Sequence, residues 1–283
     1  MSYNDRPIGI FDSGLGGLTV FKAVRKLLPA ENLIYFGDTA RVPYGTKSKE
    51  AVIAFSKEIA AYLLAKGIKF LIVACNTVSS SALAEIRLIS GVPVMGVIEP
   101  GVKEALKGGA ARRVLVIGTS ATVSSRAYSR ALRKKDRRVF VAEKACPLFV
   151  PLAEEGWCSG RVAASAAEKY LGPQKKRGFD TMILGCTHYP LLKKIISAEL
   201  GRGVRIVDSA LATARSAKAE LETRGLMRGT KTEASAGGSK RSGKKPGGKG
   251  QSRFIVSDAP EKFRTLASKL LNIRAGKVVV KRF

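Results

Sequence analysis

The chain holds one histidine, one tryptophan, four cysteines and 22 acidic residues, against 50 lysines and arginines. Each scarcity excludes something. With His188 the sole histidine and no Cys-x-x-Cys pair, the donors for a zinc site are lacking, and no metal is expected. Four scattered cysteines follow a polar start, Met1–Arg6, that leads straight into a strand. They read as reduced thiols in an unexported, cytoplasmic chain rather than as a disulfide framework. Apolar runs stay well short of the roughly 18 residues of a membrane helix, so no membrane association is expected. A phosphate-cradling Gly-x-x-x-x-Gly-Lys-Ser/Thr loop is also lacking.

Apolar residues and positive charge are plentiful. Hydrophobic residues make up 45% of 283 positions, ample for two domains or one large one. The net charge is +28. Residues 224–253 hold nine basic residues and one acid, and the remaining +20 is spread over the body, notably at Arg133-Lys134-Lys135, Arg137-Arg138 and Lys175-Lys176-Arg177. Such a field attracts polyanions. The runs lack interleaved aromatics and match no nucleic-acid-binding signature, which favours solvated helix ends and loops.

Apolar strand-length runs alternate with helical patterns almost throughout: Pro7–Phe11, Asn32–Phe36, Phe70–Ala74, Val92–Ile98, Val114–Gly118, Val139–Ala142, Thr181–Gly185, Val204–Val207, Phe254–Val256 and Val278–Val280. Helical patterns include Lys49–Lys66, Ser124–Lys135, Tyr189–Leu200 and Leu211–Leu226. This alternation argues for an α/β fold with parallel sheets. Gly9-Ile10-Phe11-Asp12-Ser13 is echoed by Val116-Ile117-Gly118-Thr119-Ser120, and each precedes a cysteine by a similar span. Two pseudo-symmetric α/β domains with a site in the cleft between them are therefore expected. Residues 1–98 with 210–283 would form the first domain and 99–209 the second, joined near Glu99-Pro100. Met227–Arg253, lacking apolar periodicity, reads as a flexible basic insertion in the first domain, open to weak polyanion contact.

Cys75 and Cys186, 111 residues apart, occupy two copies of one pattern. Leu71-Ile72-Val73-Ala74-Cys75-Asn76-Thr77 and Met182-Ile183-Leu184-Gly185-Cys186-Thr187-His188 each run from an apolar strand through a small residue to a thiol and hydrogen-bonding residues. Ligands of open α/β sheets bind beyond strand carboxyl ends. A lone cysteine there is usually a small buried hydrophobe. Two, with threonine close behind each, point instead to a pocket where one thiol removes a proton and the other returns one to the opposite face. His188 is placed to partner Cys186, and Asp12 to act near Cys75. Asp12-Ser13-Gly14-Leu15-Gly16-Gly17 is a polar turn whose glycines admit a ligand close to backbone N–H groups. It departs from the dinucleotide fingerprint at Thr19, where a third glycine is needed. Val42-Pro43-Tyr44-Gly45-Thr46 is a loop able to offer amides to a carboxylate.

Together these segments resemble those of the glutamate racemases, within the aspartate/glutamate racemase family. The likeness rests on 12–20, Pro43-Tyr44-Gly45, Cys75-Asn76-Thr77, 118–123, 146–156 and Gly185-Cys186-Thr187-His188-Tyr189-Pro190-Leu191-Leu192. It implies a cofactor-independent enzyme that interconverts L- and D-glutamate, supplies D-glutamate for peptidoglycan and forms a homodimer. By the same likeness Cys75 would take the α-proton of D-glutamate and Cys186 that of L-glutamate. Asp12, His188 and Glu154 would be auxiliary acid–base groups, with Glu155 the alternative register for Glu154. Asp12, Ser13, Tyr44, Gly45, Asn76, Thr77, Thr187 and His188 would contact substrate. An aspartate racemase is the nearest rival, although His188 stands where that group typically has an acid. A nucleic-acid-binding or topoisomerase-modulating role through the basic surface is the rival from another class.

Overall fold

The computed structural model describes residues 2–109, 111–201, 203–229 and 248–283. Among these, ten strands form two wholly parallel sheets. In chain order they are β1 Ile8–Asp12, β2 Leu33–Gly37, β3 Phe70–Val73, β4 Val94–Gly96, β5 Arg113–Gly118, β6 Phe140–Ala145, β7 Thr181–Gly185, β8 Arg205–Asp208, β9 Ser252–Val256 and β10 Val278–Val280. The first sheet runs β10-β9-β2-β1-β3-β4 and the second β6-β5-β7-β8. The order β2-β1-β3-β4 is thus repeated as β6-β5-β7-β8, which gives two pseudo-symmetric α/β sheets.

The central strands are buried on both faces, as helix-covered parallel strands must be. Ile8 and Ile10 point into a core shared with the helices Leu18–Leu27, Ser209–Thr223 and Pro260–Leu271. Phe11, one residue out of phase, joins the opposite core under the helix Lys49–Ala65. The second sheet is likewise covered on both faces. No helix among the described residues is long and apolar enough to cross a membrane.

Several sequence expectations need correction. The strand foreseen over Val92–Ile98 spans only Val94–Gly96. A helix then begins at Ile98, and Glu99-Pro100 lies in its first turn. Proline is tolerated there because its missing N–H needs no intrahelical partner. The helix foreseen over Ser124–Lys135 is broken, because Arg126 adopts φ +53° between Ser120–Ser124 and Ala127–Lys135. Tyr189–Leu200 opens as a 3-10 turn, Tyr189–Leu192, before the α-helix Lys193–Leu200.

Both ends of the supposed flexible insertion are anchored. Met227 packs on the first core. The Arg228 N–H donates to Glu31 Oε1 at 2.7 Å, the Gly250 N–H donates to the Pro29 carbonyl, and Ser252-Arg253 belong to β9. Composition alone hides these anchors, since they are contacts of a few residues at the two ends of the segment with parts of the chain distant in sequence. The middle of that expected segment, 230–247, lies outside the described residues.

Candidate active site

Asp12 ends β1, Cys75 follows β3 and Cys186 follows β7. Parallel strands deliver all three residues to carboxyl ends, where the two sheets meet. A small cavity walled largely by buried residues lies there. Cys75 and Cys186 both line it, with Ser13, Tyr44, Gly45, Asn76, Thr77, Thr187 and His188 from the expected set. Asp12 and Glu154 are not in the wall; they stand behind it and hold residues that are.

The loops interlock because glycine leaves room. A Cβ on Gly16 would lie 2.4 Å from Thr187 Oγ1 and 2.7 Å from His188 Nδ1. A Cβ on Gly45 would lie 2.4 Å from the Thr119 Cβ. Hydrogen bonds tie the same seam. Thr187 Oγ1 donates to Asp12 Oδ1 at 3.2 Å, Thr77 and Thr119 hydroxyls are 2.9 Å apart, and the Tyr128 hydroxyl donates to Asn76 Oδ1 at 2.6 Å. The Asn76 Nδ2 amide is buried and finds no hydrogen-bond partner among the described residues. Such a donor costs about 1–3 kcal/mol unless a ligand accepts from it, so it is suited to a substrate carboxylate.

The two thiols have unlike surroundings. The Cys75 thiol donates to Ser13 Oγ at 3.5 Å. Burial pushes it up to about 12, the nearby Asp12 adds to this, and the Ser13 and Val78 hydrogen bonds offset only part. Asp12 is itself fully buried, which raises its carboxyl despite the His188 charge and the Gly17, Gly14 and Thr187 donors. Cys186 Sγ lies 3.8 Å from His188 Nδ1, and the other ring nitrogen, Nε2, lies 2.6 Å from Glu154 Oε1. Burial alone would lower the imidazole. Hydrogen bonds to Cys186 and Glu154, and the charges of both, outweigh it and hold His188 well above its ordinary 6.5. Burial likewise opposes ionisation of Glu154, but His188 and the Leu15 N–H hold its carboxyl below its ordinary value. Glu155, the alternative register, points outward to Lys262 at 2.8 Å.

Two features differ from simple expectation. The Tyr44 hydroxyl donates to Asp38 rather than into the cavity, so Tyr44 presents its ring and loop backbone to a ligand. Thr119 and Val150 also line the cavity, and Tyr128 fixes Asn76. None of these three was singled out from sequence. Thr119 had a signal, since it occupies the position that echoes Ser13's turn after the matching strand.

Paired thiols from two sheets in one buried, donor-lined cavity define an acid–base site of the racemase and epimerase kind. A family model for Asp/Glu/hydantoin racemases matches residues 8–217, and the chain belongs to that family. It is 46% identical over 273 residues to the glutamate racemase of Geobacter metallireducens, covering 96% of this chain and 95% of that protein. Glutamate racemase from Francisella tularensis in complex with D-glutamate superposes with a TM-score of 0.87 at 35% identity, covering 98% of each chain. Glutamate racemase from Thermus thermophilus in complex with β-chloro-D-alanine gives 0.83 at 44% identity, covering 99% of this chain and 98% of that one.

Proposed function

We propose that the chain is a glutamate racemase working by two-thiol proton transfer without an added cofactor. The observation that carries this reading is Cys75 and Cys186 lining one buried cavity from the strand ends of different sheets. A racemase needs a base on one face of the α-carbon and an acid on the other. In the empty site Cys75 rests as the thiol, ready to donate. Deprotonating it at pH 7 would cost about 7 kcal/mol for a group pushed up to about 12.

In the L-to-D direction Cys186, beside the His188 cation, takes the α-proton and Cys75 returns one. In the reverse direction the roles exchange, and a bound ammonium group cancels part of the Asp12 charge that raises Cys75. Asn76 Nδ2, the Ser13 and Thr77 hydroxyls and backbone amides near Gly45 are the donors that bind carboxylates. Fixed donors of this kind stabilise negative charge as it builds on the carbon and its carboxylate. Asp12, His188 and Glu154 set the charge around the thiols.

The relatives' names and the bound D-glutamate of the Francisella enzyme support glutamate as substrate. The domain division 1–98 with 210–283, and 99–209, a homodimeric assembly, a cytoplasmic location and a role in supplying D-glutamate for peptidoglycan belong to the same reading. Sedimentation velocity tests the assembly.

The function is tested by incubating the purified chain with L- or D-glutamate in deuterated water, with nothing else added. Incorporation of deuterium at the α-carbon with approach to the racemate is expected from either enantiomer. Turnover of aspartate in preference to glutamate, or a strict requirement for an added cofactor, would overturn the reading.

A further inference from the structure

A row of cations marks the outer side of the helix Ala127–Lys135. Arg130, Arg133 and Lys134 sit at i, i+3 and i+4 on one side of the helix, and Arg126 just before it and Arg137 just after it line the same recess. Tyr128, Ala131 and Leu132 fill the opposite side and pack against the second sheet. The five cations are exposed, and with Ser129 and Val141 they line a shallow recess that has no carboxylate in its wall.

Neighbouring acids have partners of their own. Asp136 pairs with Arg138 and Arg112, and Glu143 accepts from the Ser129 N–H at 3.0 Å. Arg130 and Lys134 also belong to a longer groove reaching Arg87 and Lys103, but there Glu85 and Glu99 dilute the charge. Cations in a last helical turn are favoured by the helix dipole. That accounts for Arg133 and Lys134, but not for Arg126, at the other end, or Arg137, beyond the helix.

We propose that this face binds a nucleic-acid duplex through its phosphates, without reading sequence. Arg126 and Arg137 flank a nine-residue helix, about 14 Å long at 1.5 Å per residue, a reach of roughly four base pairs at 3.4 Å each. The row has no aromatic residue on which unpaired bases would stack, which favours a duplex over a single strand. It also lacks the apolar centre of a protein interface. The site is distinct from the substrate cavity.

The test is fluorescence anisotropy of the full chain with a labelled random-sequence DNA duplex of about 20 base pairs, at about 50 and 200 mM salt. Five phosphate contacts give a slope near −4.5 in log affinity against log salt, hence about a 500-fold loss across that range. Replacing Arg130→Gln, Arg133→Gln and Arg137→Gln together leaves two contacts and only about a 12-fold loss. Two controls carry the localisation: Lys175→Gln with Lys176→Gln and Arg177→Gln, which removes equal charge elsewhere, and deletion of 230–247. Both are expected to keep the wild-type slope. If the control triple flattens the slope as much, net charge alone is responsible and the proposal falls. It falls also if the deletion abolishes binding, if the wild type does not bind, or if polyglutamate or anionic vesicles compete better than unlabelled duplex. Because the readout involves no turnover, it stands or fails separately from the racemase assignment, and racemization should be unchanged in all three variants.

Discussion

Replacing Glu154 by glutamine isolates the charge behind the second thiol. Glu154 Oε1 lies 2.6 Å from His188 Nε2, and the His188 side chain is only 2% exposed. Glutamine keeps the size and an acceptor but removes the charge. Burial then acts on the imidazole with less opposition, so its pKa falls. A hydrogen bond to a charged partner contributes about 1.5–3 kcal/mol, and the variant loses the part of it that favours the imidazolium. The sign follows from the cation being the form that Glu154 favours. His188 therefore loses its proton at lower pH in Glu154→Gln, and the alkaline limb of kcat/KM that reports this group moves down with it.

On that limb the variant should lose about 10²-fold in kcat/KM, at the low end for acid–base assistance, and recover part of it as pH is lowered. Circular dichroism of glutamate at several pH values reads both directions. L- and D-glutamate have equal free energy in water, so kcat/KM must fall by the same factor from either enantiomer, which gives the assay an internal check. Glu155→Gln, which removes only the exposed pair with Lys262, should change neither the limb nor the rate appreciably. An alkaline limb that stays in place in Glu154→Gln, or full activity across the profile, would refute the role argued for the pair.

Three further outcomes are expected. Cys75→Ser and Cys186→Ser should each abolish racemization, since delivery must come from the face opposite removal; full activity in either variant would exclude the two-thiol mechanism. Cys75, pushed up to about 12 by burial and Asp12, should react with iodoacetamide very slowly at neutral pH and about tenfold faster per pH unit towards that value. Peptide mass mapping that finds Cys75 modified rapidly at pH 7 would contradict the environment described. Deleting 230–247 with both anchors kept should leave thermal stability and turnover largely intact, because loop closure changes slowly with length. Deleting 227–253 should be destabilising, because it removes the Arg228–Glu31 contact and the first residues of β9; equal melting temperatures for the two deletions would show the anchors to be dispensable.

What could be read from the sequence divides by the range of the interactions involved. Thr181–Gly185 emerges as foreseen because a doubly covered parallel strand must be a short apolar run, whatever else surrounds it, and Val278–Val280 emerges as a half-exposed strand at the edge of the first sheet. Val92–Ile98 is just as apolar, yet its end is helical. There Gly96 must pass within 2.8 Å of Leu83 and 3.0 Å of Ser79 for any Cβ it might carry, and the chain turns directly afterwards. The cysteine motifs were legible for the same local reason as the strands. Val150 and Tyr128 were not, because their place in the site depends on two sheets meeting, with Tyr128 reaching Asn76 across 52 residues; Thr119 was marked only by the echo of the first strand and turn. The choice between Glu154 and Glu155 turns on the end of one short helix, which no spacing rule decides: Glu154 faces His188 and Glu155 faces solvent.

The repeated strand order suggests two equivalent half-sites, and racemization in both directions would be served by them. The electrostatics are not equivalent. β1 ends in Asp12, whose carboxylate raises Cys75, whereas the matching strand β5 ends in Gly118 and is followed by the neutral Thr119. The sole histidine stands beside the other thiol, and its charge also lowers Asp12, so the two halves are coupled through the Asp12–Thr187 seam. Thermodynamics requires only that kcat/KM be equal in the two directions; it leaves kcat and KM free to differ together. A site that rests with Cys75 protonated and a cation beside Cys186 is set for one enantiomer before binding, and it must redistribute protons for the other. Unequal KM values matched by unequal kcat values are thus what this asymmetric pair of thiols should produce, on a scaffold whose strands are arranged almost symmetrically.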